Sequence, residues 1–155
     1  MKLSKYITVL FIGFVLFTAC KKEEENPSSP AEQDQILQDY FAENNITPQK
    51  TESGLYYVID EQGATPIQIG ERVTVNYEGK LLSGEKFDSS FDRGEPFSFT
   101  VGGGVISGWN EGIPLIGRGG KGTLYIPSHL GYGARGSGNV ITPYSILVFR
   151  VEVFE

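Results

Sequence analysis

Apolar and polar residues alternate without a break over residues 72–82. Val73, Val75, Tyr77, Gly79 and Leu81 fall on one face, and Thr74, Asn76, Glu78 and Lys80 on the other. A period of two is that of an extended chain with one dry face, which predicts a half-buried antiparallel strand. Ser83-Gly84 turns it. The alternation returns over residues 145–154, where Leu147, Phe149, Val151 and Val153 share a face. Shorter apolar runs at 55–59 (closed by Gly63 and Pro66), 97–101 and 122–126 predict three more strands. The period changes in two places. Over residues 31–44, Ile36, Leu37, Tyr40 and Phe41 form a stripe at helical spacing, stopped by Asn44, Asn45 and Pro48. Over 107–116, Trp109, Ile113 and Ile116 recur at that spacing. Ser107 is placed to cap this helix and residues 117–120, with three glycines, to end it. Antiparallel strands with one short internal helix predict an α+β fold, a curved antiparallel sheet wrapped on one short α-helix and preceded by an N-terminal helix. The pattern leaves three roles open for the first helix: packing on the domain, pairing with a second copy, or acting as a spacer.

The N-terminus follows different rules. Lys2 and Lys5 precede an apolar run at 7–17, then Thr18, Ala19 and Cys20. A basic start, an apolar core and small residues make a secretory signal. The run is shorter than the roughly 20 residues of a membrane span. Cys20 is the only cysteine, so no disulfide forms within the chain. Its position resembles the acceptor of bacterial lipoproteins. That resemblance implies cleavage after residue 19, a lipid on Cys20, and a lipid-anchored protein of the bacterial cell envelope, on the periplasmic or surface face of the outer membrane. A free cysteine after ordinary cleavage is the alternative. Lys21, Lys22, Glu23, Glu24 and Glu25 then read as a solvated tether, and Asn26 to Pro30 as a polar linker. The expected division is a signal peptide at 1–19, a tether at 20–30, a helix and connector at 31–50, and a main domain at 51–155.

The 155 residues carry a formal charge of -6. Loss of the leader removes two lysines and no acids, giving -8. Such a surface argues against nucleic acid as a partner, because phosphate binding needs clustered cations. Two other motifs carry no function. Gly131-Tyr132-Gly133-Ala134-Arg135-Gly136 is a literal G-x-G-x-x-G, but Ser137, Gly138, Asn139 and Pro143 follow, so no phosphate-binding helix can begin. His129 is the only histidine and lacks partners for a metal site. Ser128 beside it points elsewhere on an extended chain. No metal and no cofactor are expected.

The block from residue 86 to residue 109 is the candidate site. It sets Asp88 among Phe87, Phe91, Phe97, Phe99 and Trp109. That composition suits a concave apolar pocket with one polar handle. It lacks the nucleophile and base of a hydrolytic centre. Each ring taken alone fits a core as well as a site, and Asp88-Ser89-Ser90 fits a surface turn. An acid among rings needs a partner, which Arg93 or a backbone donor supplies.

Val75-Asn76-Tyr77-Glu78-Gly79, Lys86-Phe87-Asp88-Ser89-Ser90, Val105-Ile106-Ser107-Gly108-Trp109, Tyr132-Gly133-Ala134 and Leu147-Val148-Phe149 occur in that order. Over residues 54–155 the chain thereby resembles the FKBP-type peptidyl-prolyl isomerases. The resemblance implies an FKBP-like fold and makes 51–155 an isomerase domain. It implies that Trp109 is the pocket floor and that Tyr77, Phe87, Phe97 and Phe149 are walls. Val105 and Ile106 then form a rim, with the Ile106 N–H as a donor to a ligand carbonyl. Asp88 and the Tyr132 hydroxyl make polar contacts, Arg93 holds the Asp88 charge, and Ile141 flanks the proline. Asp88, Tyr132 and Phe87 are the implied catalytic residues. The implied partners are proline-containing unfolded or exported polypeptides, and a macrolide-type inhibitor. Thr142 stands where the family commonly has a proline, which bears on the stiffness of that rim. The expected function is prolyl isomerisation assisting the folding of exported proteins. The alternative is a non-catalytic peptide-binding or chaperone module.

Overall fold

A computed structural model describes residues 27–155. The signal peptide, Cys20 and most of the tether lie outside the described residues. In order come α1 (Pro30–Asn44), β1 (Gln49–Lys50), β2 (Tyr56–Glu61), β3 (Arg72–Leu81), β4 (Lys86–Ser89), α2 (Ser90–Arg93), β5 (Phe97–Thr100), α3 (Ser107–Ile116), β6 (Lys121–Ile126) and β7 (Leu147–Val153). Two 3-10 turns, Ser128–Leu130 and Gly133–Arg135, lie between β6 and β7. Among the described residues no helix is long and apolar enough to cross a membrane.

The strands form one antiparallel sheet in the order β1-β2-β6-β7-β3-β4, and β5 shares the outer edge of β3 with β4. The last strand in sequence therefore lies inside the sheet. Phe149 of β7 sits opposite Leu124 of β6 on one side and Gly79 of β3 on the other. Alternation sends Val73, Val75, Tyr77, Leu124, Ile126, Leu147, Phe149 and Val151 to one face, where Trp109, Ile113 and Ile116 of α3 meet them in the main core. Burying such side chains contributes roughly 1.5–3 kcal/mol each.

The other face of β2 and β6 carries α1. Leu37 and Phe41 pack with Tyr56, Tyr125 and Ile146, and the Phe41 ring stands 5.0 Å from that of Tyr56 and 4.9 Å from that of Tyr125. Of the three roles open to the first helix, packing on the domain is the one observed. The helix is set locally by a capping box. The Ser29 hydroxyl accepts from the Glu32 N–H at 3.2 Å, and the Glu32 carboxylate accepts from the Ser29 N–H at 3.1 Å. Asn45 ends it in the left-handed region at φ 54°.

Two local expectations change, and one stretch without a predicted element gains two. Ser107 is the first helical residue and not the cap of α3. Ile106 takes the cap position, where its carbonyl accepts from the Trp109 and Asn110 N–H groups and no side chain caps. The first main strand is Tyr56–Glu61 rather than 55–59, because Leu55 turns into the core ahead of it. Residues 86–93 form a short strand and one helical turn.

Candidate functional site

The first turn of α3 carries Trp109 into the concave side of the sheet. The indole is 4 % exposed. The Tyr77, Phe149, Phe99 and Phe97 rings surround it at centroid distances of 5.0, 5.2, 5.5 and 6.0 Å. Edge-to-face geometry dominates, as the ring quadrupoles favour. Phe87 meets Phe149 at 5.4 Å and 80°. All of these rings except Phe99 border a cavity of about 430 Å³. Tyr77, Phe87, Asp88, Phe97, Val105, Ile106, Trp109, Tyr132, Ile141 and Phe149 line it, together with Ser137, Gly138, Asn139 and Val140. Of the residues the family resemblance assigned to the site, only Arg93 does not line it, standing behind Asp88. Phe91 is exposed at 45 % and takes no part, and Phe99 lies behind Phe97, stacked at 5.9 Å.

Asp88 is placed by a break in the sheet edge. β4 leaves β3 after the Glu78–Ser89 pair. The Tyr77 N–H then lacks a strand partner, and the Ser90 hydroxyl accepts it at 2.8 Å while donating to Asn76 Oδ1 at 3.0 Å. A buried N–H is thus satisfied by a side chain instead of a ladder bond. The Ser89 hydroxyl caps α2 by accepting from the Asp92 N–H at 3.2 Å, and that one turn brings Arg93 back over β3. The Tyr77 hydroxyl donates to Asp88 Oδ2. Asp88 Oδ1 accepts from the Ser89 N–H at 2.8 Å and pairs with Arg93. Arg93 Nη2 donates to the Tyr77 hydroxyl at 3.0 Å, and the guanidinium lies 5.6 Å above the Tyr77 ring. Asp88 therefore has both partners its setting demanded, and it sits on a strand facing the cleft rather than on a free turn. Burial first, and the Asp88 carboxylate second, hold the Tyr77 hydroxyl above the usual phenol range. Burial and then the same carboxylate push Tyr132 upward too. Both phenols are protonated donors at neutral pH.

The two rims are built differently. On one side, residues 101–105 lead into α3, and Asn110 ties that segment down. Asn110 Oδ1 accepts from the Gly102 N–H at 2.7 Å, and Nδ2 donates to the Val105 carbonyl at 3.4 Å. The Ile106 N–H has no hydrogen-bond partner among the described residues. On the other side stand Tyr132 and residues 137–141, pinched by paired backbone bonds between Ser137 and Ile141 of 2.8 and 3.2 Å. The sequence marks Ser137, Gly138 and Asn139 only as residues that bar a helix after Gly136, whereas the fold makes them one rim of the cleft. Their one signal was position, just ahead of Ile141.

The remaining motifs stay outside the cleft. The glycine motif at 131–136 passes through a 3-10 turn and opens no helix. His129 Nε2 bonds the Ser53 carbonyl at 2.8 Å, and Ser128 bonds Gln33 of α1. Among the described residues no group of three or more His, Cys, Asp or Glu is placed to hold a metal ion. The cleft offers an apolar slab, a fixed carboxylate–guanidinium–phenol cluster, and open donors at Ile106 and Tyr132. It can bind and polarise, with no nucleophile beside a base.

The family model for FKBP-type peptidyl-prolyl cis-trans isomerase matches residues 63–154. The chain is 52 % identical over 87 residues to an FK506-binding protein of Neisseria meningitidis serogroup A, covering 56 % of this chain and 80 % of that protein. It is 50 % identical over 107 residues to the FKBP-type 22 kDa peptidyl-prolyl cis-trans isomerase of Escherichia coli, covering 68 % of this chain and 51 % of that protein. The chain thus spans about half the length of the latter relative. Among solved structures, FkpA from Escherichia coli superposes with a TM-score of 0.71 at 38 % identity, covering 81 % of this chain and 58 % of that one.

Proposed function

The chain belongs to the FKBP-type peptidyl-prolyl cis-trans isomerase family and is an isomerase of X-Pro bonds, and we propose that it works on exported polypeptides in the cleft floored by Trp109. The observation that carries the site is the convergence of Tyr77, Phe87, Phe97 and Phe149 on one indole, with Asp88 held at the mouth.

The reaction breaks no covalent bond. An X-Pro amide resists rotation because twisting it removes C–N resonance, and the activation energy is about 20 kcal/mol. The planar amide is the more dipolar form. A cavity walled by rings solvates it less well than water does, so moving it inside costs the planar form more than the twisted form. The Ile106 N–H, which has no partner among the described residues, donates to the carbonyl of the bound chain and fixes its direction. The Tyr132 hydroxyl supplies a second donor. Asp88, locked by Arg93, Tyr77 and the Ser89 N–H, holds one oriented negative charge beside the rotating bond at no cost of reorganisation. Phe87, held edge-to-face against Phe149, lines the pocket beside it. Every 1.4 kcal/mol of preference for the twisted geometry is worth about a factor of ten in rate. The pocket rings also suit a macrolide of the kind named for the Neisseria relative, which would compete for the same cleft.

Export follows from the leader. The signal pattern at 1–19 and the lone Cys20 support a lipid-anchored protein of the cell envelope. Mass spectrometry of the mature chain checks this, and an unmodified Cys20 thiol refutes the anchor. Nothing in the cleft favours holding without catalysis. A proline-limited refolding assay and a tetrapeptide assay test the reaction. The slow phase should shorten at micromolar protein, and an unaltered slow phase with the fold intact rejects catalysis.

A further inference from the structure

One wall of the cleft belongs to a loop whose two ends are held by a single side chain of the N-terminal helix. Tyr132 and residues 137–141, six of the lining residues, lie on the segment between Ser128 and Tyr144. Gln33 of α1 is fully buried, in contrast to the neighbouring helix positions Glu32 and Gln35. Its Oε1 accepts from the Ser128 N–H at 2.7 Å. Its Nε2 lies 2.9 Å from Ser128 Oγ, 2.9 Å from the Tyr144 carbonyl and 2.7 Å from the Pro27 carbonyl, so two hydrogens serve three acceptors. One amide therefore joins the start of the loop, its end, and the point where the chain enters α1.

The far end of this bridge is a strained residue. Tyr144 has φ 60°, a left-handed conformation that a bulky side chain rarely adopts. Such a backbone persists only where its surroundings impose it. Here the imposing contacts are few. The Tyr144 N–H donates to the Gly133 carbonyl at 2.8 Å, and its carbonyl accepts from Gln33. Without the amide, the Tyr144 carbonyl and the Ser128 N–H are both left unpaired where water has poor access, and one of the two bonds that hold Tyr144 is gone.

From this geometry we infer that Gln33 is a positioning residue for catalysis, and that α1 is part of the working isomerase unit because it holds the loop that forms one wall of the pocket. The inference rests on the isomerase reading of that pocket. It acts on binding more than on chemistry, since the floor, Asp88 and the Ile106 rim are set by other elements. A loop that samples open states lowers the fraction of molecules able to bind, and apparent affinity falls in proportion to that fraction.

The test uses the full-length chain with Gln33→Met, which keeps the length and removes every hydrogen bond. Phe41→Leu is the control, because it weakens the packing of α1 on Tyr56 and Tyr125 without touching the loop. Both variants should lose thermal stability. Only Gln33→Met should raise KM for a short proline peptide, by about tenfold if the closed loop falls to about a tenth of molecules, with kcat for the folded enzyme unchanged. Amide exchange at Ser137 and Ile141 should quicken in Gln33→Met alone. The inference is overturned if Gln33→Met behaves like Phe41→Leu, with lower stability but unchanged KM and unchanged exchange at those amides. If Gln33→Met is too unstable to assay, Ser128→Ala, which removes only the hydroxyl from this bridge, should give a smaller change in the same direction, and no change overturns the inference equally. Failure of the wild-type chain to act on the short peptide would instead strike at the isomerase reading.

Discussion

Adding a single methyl group to Gly79 should cripple the pocket more than it harms the fold. Gly79 lies on β3 opposite both Asp88 and Phe149. A Cβ built there falls 2.6 and 2.7 Å from two carbons of the Phe87 ring and 2.8 Å from one of Phe149. Ordinary carbon contacts are about 3.5–4.0 Å, so both rings must withdraw by roughly an ångström. Gly79 itself does not need a left-handed backbone, so the effect is purely one of space. The rings are backed by sheet and core on one side and by the 430 Å³ cavity on the other, so they yield into the cavity. Overpacking of this kind costs about 1–3 kcal/mol. A substrate that needs the cavity must push the rings back, and the same energy then opposes binding. That corresponds to a fall in kcat/KM of about 5- to 150-fold. The assay is isomerisation of a short proline peptide beside thermal unfolding, for Gly79→Ala and for Gly84→Ala. Gly84 has φ 91° and nothing within 4 Å of a Cβ, so its substitution strains a turn and moves no ring. It should lose stability at full activity. If Gly79→Ala keeps kcat/KM within about twofold of wild type, the two rings do not set the shape of the site and the reasoning fails.

Other consequences follow from the polar cluster and its surroundings. Asp88→Asn keeps the shape but leaves Arg93 and the Tyr77 hydroxyl facing a neutral amide; kcat should fall by about 10-fold or more with little change in Tm, since the pair is half-exposed and weakly stabilising. Equal kcat would exclude a role for the charge. The Tyr77 phenol titrates higher in the folded chain than in the unfolded one, because burial penalises its anion. It therefore adds stability that is fully present below about pH 10 and is lost as pH rises through the higher folded value. Urea unfolding at alkaline pH should show a shallower decline for Tyr77→Phe than for wild type, and parallel curves would contradict the assignment. His129→Ala removes one bond to Ser53, costs about 0.5–1.5 kcal/mol, and should leave the isomerase rate and its pH profile between about 6 and 8 unaltered.

The parts of the molecule legible in the sequence are those where one rule dominates. β3 was readable because ten consecutive residues alternate against a single dry core. Trp109, Ile113 and Ile116 were readable because a helix lying on that core must repeat every three or four residues. The site rings came from ordered motifs, and the fold brings them together because α3, β3, β4, β5 and β7 all face one concavity. What escaped was structure set by a neighbour. Asp88-Ser89-Ser90 has the composition of a turn, yet Asp88 and Ser89 form a strand end because the edge of β3 offers hydrogen bonds there, and Ser90 starts α2. Ser107 has the chemistry of a cap, but the chain is still extended at Ile106, which takes that place. Gln33 stands one turn before Leu37 on the face of the apolar stripe, so periodicity places it inward while its polar amide reads as solvent-exposed. Only the polar groups at the two ends of a loop, 95 and 111 residues further along the chain, explain its burial.

The two walls of the cleft are held by forces of different kinds. The ring wall is fixed by strand register, so its geometry is shared with the core and cannot loosen without unfolding β3 or β7. The loop wall contributes little to that core and is held by a few polar contacts. Thr142, where a proline would stiffen the chain covalently, instead shares a 3.0 Å hydroxyl bond with Ser145, and the Ser145 hydroxyl donates to the Thr142 carbonyl at 2.7 Å. Hydrogen bonds of this sort are worth roughly a kilocalorie each in net terms, against water that competes for the same atoms. The strain at Tyr144 opposes them. The enzyme thus pairs a rigid face that shapes the twisted amide with an adjustable face, tied to α1, that meets the residues around the proline. A prolyl isomerase needs the first to be invariant, because every X-Pro amide twists in the same way, and gains from tolerance in the second, because the residues around the proline differ.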